Sequence, residues 1–229
     1  MRRLSRVNTE WRPNLAYAVG VIATDGNLSS DGRHLNITSK DADMLLTMRD
    51  VLRLQNKIGK KARGGSKEKK YFVLQFGDVN FYGFLLSIGL TPRKSKTMGH
   101  LVVPDAYFPD FLRGCIDGDG SIGSFMHPES KLPQVRLRLA SASPAFLDWI
   151  LKTAQKLYDI QGGYIYNQKG KSIHQLSFAK ADSFKILQLM YYKKSLPALK
   201  RKQAIAEDLM RASSRIGTGA RLRTVWSNP

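Results

Sequence analysis

The chain has 229 residues, room for one large domain or two small ones, and its 42% hydrophobic content excludes wholesale disorder. Lys and Arg outnumber Asp and Glu by 37 to 18, a net charge of +19. Such an excess repels itself unless an anionic partner neutralises it. Nucleic acid is the first candidate, because phosphate contacts release counterions and dominate affinity. No long basic amphipathic helix points to a membrane surface, and no apolar stretch reaches the roughly 18 residues needed to span a bilayer.

The N-terminal residues Arg2, Arg3, Arg6 and Arg12 precede an apolar run over 15–23, the outline of a signal peptide. That reading fails because the run recurs mid-chain. Residues 15–26 read LAYAVGVIATDG and residues 111–120 read FLRGCIDGDG. Each is a small-residue helix pattern ending in an Asp-Gly pair, and Asp25 and Asp119 lie 94 positions apart. Two such helices, each delivering a carboxylate at its C-terminal end, predict a site assembled at a pseudo-twofold axis.

The text after each pattern runs in parallel. Polar residues 27–33 lead to an alternating strand over 34–38, with Leu35 and Ile37 on one face and Asn36 and Thr38 on the other. The second copy passes through 121–126 and a Pro-bearing loop at 127–133 to an alternating strand over 134–139. Helices are expected over 41–54 and 143–158, with Ser39 and Ser141 near their capping positions. Hairpins follow: 57–63 with 71–76 about a turn at 64–66, and 163–168 with 172–178 about a turn at 169–171. Helices over 79–88 and 181–191 come next, then two basic phrases, TPRKSK at 91–96 and PALKRK at 197–202.

The expected fold is therefore α/β (α+β): a pseudo-twofold pair of αββαββα repeats. The repeats occupy 1–97 and 110–211, joined by a linker over 98–109 and followed by a basic flexible tail over 212–229. Each repeat supplies a four-stranded antiparallel sheet whose polar face is rich in base-edge and phosphate donors. Two such sheets would form saddles along a duplex. From Lys193 onward there are nine basic residues and two acidic ones, so the tail reads as a solvated terminus or a phosphate-contacting arm.

These residues resemble the LAGLIDADG homing endonucleases in their single-chain, two-motif form, from Leu15 to about Met210. The second copy matches at Leu112, Gly114, Ile116, Asp117, Asp119 and Gly120; the first matches at Gly20, Ile22, Asp25 and Gly26. The first copy departs at Ala18, Val19, Ala23 and Thr24, and Ala23 stands where the pattern has its first aspartate. In the family the eighth position carries the chemistry, so Asp25 and Asp119 remain. Gly20 and Gly114 lack a Cβ and would let the two helices approach closely. The two carboxylates would then repel, and a divalent cation with a preference for hard oxygen ligands, Mg²⁺ or alternatively Mn²⁺, would relieve that repulsion.

The resemblance implies metal-assisted hydrolysis of double-stranded DNA at a long pseudo-symmetric site, leaving short 3′ overhangs. Asp25 and Asp119 would bind metal, with the carbonyls of Thr24 and Gly118 as added ligands. A lysine from late in each repeat would stand beside the scissile phosphate. Matching the basic phrases gives Lys94 and Lys200, with Lys96 and Lys202 as off-by-two alternatives. Ser39 and Ser141 fall near a polar position next to the family's site, where helix capping explains them equally well.

Candidate DNA contacts in the first half are Asn27, Ser29, Arg33, Asn36, Thr38, Arg63, Lys69, Tyr71 and Gln75. In the second half they are Ser121, Ser124, Gln134, Arg136, Arg138, Tyr164, Tyr166, Gln168, His174 and Gln175. The segment 57–70 carries seven basic residues and one Glu, the composition of a backbone-clamping hairpin tip.

Other chemistries find no footing. His34, His100, His127 and His174 show no metal-ligand spacing, and neither a phosphate-cradling loop nor a dinucleotide fingerprint is present. The lone Cys115 cannot form an internal disulfide. The expectation is thus a monomeric enzyme of a reducing intracellular compartment, cytoplasmic (nucleoid-associated) or organellar, with no membrane partner. The alternative is a non-cleaving nucleic-acid-binding protein on the same scaffold, an intron RNA maturase or a DNA-binding regulator. RNA stays open as a partner.

Overall fold

A computed structural model describes residues 6–62, 68–126, 128–129, 133–167 and 172–215, with side chains through 213. Arg63, Gln168, His127, the turns at 64–66 and 169–171, and the tail over 216–229 lie outside the described residues.

The first half runs α1 (Pro13–Asp25), β1 (Gly26–Leu28), β2 (His34–Ser39), α2 (Ala42–Val51), β3 (Ile58–Lys61), β4 (Tyr71–Gly77) and α3 (Val79–Ser87). A 3₁₀ turn at Asp105–Tyr107 leads into the second half. There follow α4 (Phe108–Asp119), β5 (Gly120–Phe125), β6 (Gln134–Ser141), α5 (Pro144–Tyr158), β7 (Tyr164–Asn167), β8 (His174–Phe178), α6 (Lys180–Met190) and α7 (Lys200–Arg215). Each half holds one four-stranded antiparallel sheet, ordered β1-β2-β4-β3 and β5-β6-β8-β7. The expected pair of αββαββα repeats is present.

The helix α7 is an addition. The basic phrase at 197–202 is similar to that at 91–96, yet from Lys200 it opens a 16-residue amphipathic helix. Residues 212–215, expected in the tail, continue that helix.

Local chemistry explains the elements. Pro13 starts α1 and Pro109 sits in the first turn of α4, where a missing N–H leaves nothing unsatisfied. From Leu15 to Ala23 every residue of α1 is buried, as expected for a helix apolar all round and packed on several sides. On β2 burial alternates residue by residue: Leu35 and Ile37 enter the core, while Asn36 and Thr38 face outward. The same alternation places Val135, Leu137 and Leu139 of β6 inside. Met44, Leu45 and Met48 of α2, Phe81 and Leu85 of α3, and Phe146, Leu147 and Ile150 of α5 pack beneath the sheets. Among the described residues no helix covers the opposite face of either sheet, where Asn27, Gln75 and Ser121 are exposed.

Gly26 and Gly120 follow the motif helices directly, with extended backbones (φ −85° and −97°), so neither is a left-handed helix cap. Glycine is required there by crowding. A Cβ on Gly26 would lie 2.6 Å from the Ile22 carbonyl oxygen, and one on Gly120 would lie 2.6 Å from the Ile116 Cα. The chain can therefore pass from helix to strand without a loop, which places each motif acid at the inner edge of its sheet.

Candidate active site

α1 and α4 cross at their glycines. A Cβ on Gly20 would sit 2.1 Å from the Phe111 carbonyl oxygen, and one on Gly114 would sit 2.1 Å from that of Tyr17. The approach continues to the helix ends, where a Cβ on Gly118 would lie 2.0 Å from the Thr24 hydroxyl and 3.3 Å from the Asp25 carboxylate. Asp25 and Asp119 consequently line one cleft of about 590 Å³, shared with Thr24, Asn36, Thr38 and Lys94. Asp119 is exposed and Asp25 half-buried. Both stand at helix C-termini, where the helix dipole disfavours an anion.

Two buried lysines lie under this pair. The Lys94 ammonium donates to the Gly26 carbonyl and is 6% exposed. Burial pushes its pKa down to about 8, against the opposing pull of the Asp119 and Asp25 charges. Lys202 is 4% exposed and donates to the carbonyls of Ile116 (2.6 Å), Asp117 (2.9 Å) and Gly120 (2.7 Å). Burial lowers its pKa too, with the Asp117 charge foremost among those resisting.

Because Gly26 and Gly120 occupy equivalent places, Lys202 is the counterpart of Lys94. Lys200 is exposed on the first turn of α7, so its match to Lys94 is corrected to Lys202. The phrases misalign because Lys94 sits in a non-helical turn, whereas Lys202 is the third residue of a helix. Lys96 is exposed.

The substitution at Ala23 also has a physical account. Its counterpart Asp117 is 2% exposed and accepts hydrogen bonds from the Tyr17 hydroxyl (2.9 Å) and the Leu199 amide (2.7 Å). It thus ties α1 to the start of α7. Burial raises its pKa, with the two hydrogen bonds opposing the rise. Asp117 is an architectural acid, and only the half that carries α7 has one.

Ser39 and Ser141 accept from the amides of Asp41 and Ser143, each at 3.1 Å, in the turns before α2 and α5. Both bonds are local turns two residues ahead of the N-caps Asp41 and Ser143, neither of which has a side-chain cap, and Ser141 also lines the cleft.

The sheets present most of the expected contact residues on their uncovered faces. In the first half Asn27, Asn36 and Gln75 are cross-strand neighbours, and Thr38 pairs with Val73. Tyr71 lies on the same face, with the Lys40 ammonium 5.5 Å from its ring centre. Lys69 is exposed just before β4; Ser29 and Arg33 flank the β1–β2 turn, Ser29 accepting from the Tyr82 hydroxyl through its carbonyl. In the second half Ser121, Arg138, Ser177 and Tyr164 form one row. Tyr166 and Gln175 form the next, joined by a hydrogen bond from the Tyr166 hydroxyl. Gln134 pairs with Phe125, and Arg136 stands over the Phe125 ring at 5.5 Å.

Two placements are corrected. His174 shares the core-side parity of Leu176 and Phe178, so it and Gln175 cannot both face outward; Gln175 does. Ser124 likewise shares the parity of Ile122, although it is exposed. Lys40 is an addition to the expected contacts, and Lys61 belongs to the basic segment 57–70. The two-residue period through Asn36 and Thr38 pointed to Lys40, and Lys61 pairs with Tyr71.

A divalent cation fits this donor set. Asp25 and Asp119 line one cleft with Thr24, and each of the three carries side-chain oxygen. All are hard oxygen donors, suited to Mg²⁺ or Mn²⁺. Among the described residues no group of three or more His, Cys, Asp or Glu offers a different metal centre. No helix among them is long and apolar enough to cross a membrane.

By sequence, no family model and no curated protein matches the chain. Solved structures match its fold. The LAGLIDADG homing endonuclease I-LtrWI bound to target DNA aligns at 13% identity and a TM-score of 0.57, covering 93% of this chain and 92% of that one. Mesophilic variants of the homing endonuclease I-DmoI align at 15% identity and 0.55, covering 85% and 97%. Full-length DUF199/WhiA from Thermatoga maritima aligns at 14% identity and 0.56, covering 96% and 69%.

Proposed function

The fold is that of the LAGLIDADG homing endonucleases, and from that premise we propose that the chain is a divalent-metal-dependent, site-specific DNA endonuclease. The observation that carries this reading is the convergence of Asp25 and Asp119 on one cleft between two uncovered polar sheets. A long duplex lying across both sheets would present one phosphodiester of each strand near the acids.

Bound there, Mg²⁺ would supply positive charge to the attacking and leaving oxygens of an in-line hydrolysis. The chain's own groups do the rest. Asp25 and Asp119 hold the cation and fix its place relative to the duplex. Lys94, buried beside them, holds positive charge near the position where negative charge develops. Lys202 keeps the C-terminal end of α4, and with it Asp119, in position. Both halves come from one chain, so the proposed enzyme acts as a monomer, and unequal halves imply an asymmetric target with short 3′ overhangs.

The test is selection of cleaved duplexes from a random library with Mg²⁺ present, then assay of Asp25→Asn and Asp119→Asn on the recovered site. Each variant should abolish double-strand cleavage while duplex binding persists. Unchanged cutting by both would refute the assignment. Tight, salt-sensitive binding with no cleavage by the unaltered protein would establish the second reading, a non-cleaving nucleic-acid-binding protein.

A further inference from the structure

The two sheets match in register but not in chemistry. Gly26 faces Ile37 across β1 and β2, and Gly120 faces Leu139 across β5 and β6. From these glycines the equivalent places can be read off strand by strand. Asn27, Asn36 and Gln75 stand side by side across β1, β2 and β4. Ser121, Arg138 and Ser177 stand in the same places across β5, β6 and β8. Each row begins two residues after its motif acid, about 7 Å along the strand.

These rows occupy the middle of each sheet. β2 and β6 are both inner strands, so Asn36 and Arg138 project from the centre of the uncovered face, where a groove floor would lie. The cationic side chains Lys40, Lys61 and Lys69 belong to strand ends and the β3 edge, the positions suited to phosphates. Arg136 is already stacked on Phe125. Arg138 has no side-chain hydrogen bond or ion pair among the described residues. Its neighbour Ser121 is short and exposed, whereas Ser177 on the other side is fully buried.

A guanidinium presents two parallel donors, which match the O6 and N7 acceptors of guanine. A carboxamide presents one donor and one acceptor, which match N7 and N6 of adenine. Building on the proposal that the sheets lie on duplex DNA, we infer that Arg138 selects a guanine in the half-site under the C-terminal sheet. Asn36, flanked by Asn27 and Gln75, selects an adenine at the equivalent position under the N-terminal sheet. The target is then asymmetric at two positions that a true twofold axis would make identical.

The experiment is selection of bound duplexes from a random library in EDTA, which reads binding independently of cleavage. The unaltered protein, Arg138→Gln and Asn36→Arg are compared, each first shown to melt at the unaltered protein's temperature. The unaltered protein should enrich guanine in one half-site and adenine at the matching position of the other. Replacing the guanine in the recovered site should weaken binding about 5- to 150-fold. Arg138→Gln should lose that guanine preference and leave the other half-site intact, while Asn36→Arg should convert the adenine to guanine. A consensus left unchanged at every position by both variants would overturn the base assignment while sparing DNA binding. No enriched sequence at all would overturn the DNA reading itself.

Discussion

Gly20 and Gly114 face each other so closely that a Cβ on either would lie 3.0 Å from the Cα of the other. This contact sets the separation of α1 and α4 and brings their terminal acids together. Gly20→Ala or Gly114→Ala should therefore cost about 3 kcal/mol or more, because the obstructing atoms are backbone. Gly83 lies within α3 with nothing within 4 Å of a built Cβ, so Gly83→Ala should stabilise by about 0.5–1 kcal/mol. Thermal or urea unfolding of the three variants checks both statements, and equal effects at Gly83 and Gly20 would contradict them.

Lys202 should matter far more than Lys200. Truncating Lys202 to Ala orphans the carbonyls of Ile116, Asp117 and Gly120, with an expected loss of about 1–3 kcal/mol. Lys200→Ala, at an exposed position, should change stability by less than about 0.5 kcal/mol. Denaturant midpoints of the two variants decide between the alignments of the basic phrases.

Much of this architecture was legible in the sequence, for identifiable reasons. The duplicated Asp-Gly motif and the strict alternation of Leu35 and Ile37 with Asn36 and Thr38 specify helix and strand by period alone. Element bounds for α2, β4, α3, α5 and α6 fall within about three residues of those read from the pattern. Lys202 was hard to place because compositional matching ignores backbone: one basic phrase is a turn and the other a helix. His174 and Ser124 failed for a different reason. Strand parity flips with each residue, and a sequence alone does not say which of two adjacent polar residues faces the core. The role of Asp117 was hidden because its partners, Tyr17 and Leu199, are 100 and 82 residues away.

The Arg201–Asp41 ion pair (2.9 Å) joins α7 of one half to the start of α2 in the other. The hydrogen bond from Arg201 is the main reason that the Asp41 carboxyl sits below its usual pKa. A depressed carboxylate pKa contributes stability above the unfolded-state value, near 4, and that contribution is lost as pH falls through the folded value. Both side chains are substantially solvated, so the effect should stay within about 1 kcal/mol. Asp41→Asn should be less stable than the unaltered protein at pH 7, and the difference should shrink below about pH 4. A gap that widens on acidification in parallel unfolding curves would contradict the pairing.

Binding to duplex DNA should fall steeply as salt rises, because the uncovered faces carry Lys40, Lys61, Lys69, Arg136 and Arg138. Substituting Lys61 by Ala should weaken all sequences alike and reduce the salt slope by about one counterion. Fluorescence anisotropy across a salt series measures both, and a flat response would remove the sheets from the interface.

The shared-cation claim is tested most directly by calorimetric titration of Mn²⁺ into the unaltered protein, Asp25→Asn, Asp119→Asn and the double variant. If both carboxylates hold the same ion or ion cluster, each single variant should weaken binding nearly as much as the double. Full-affinity binding that survives in both single variants, or losses that simply add, would show that Asp25 and Asp119 serve separate places.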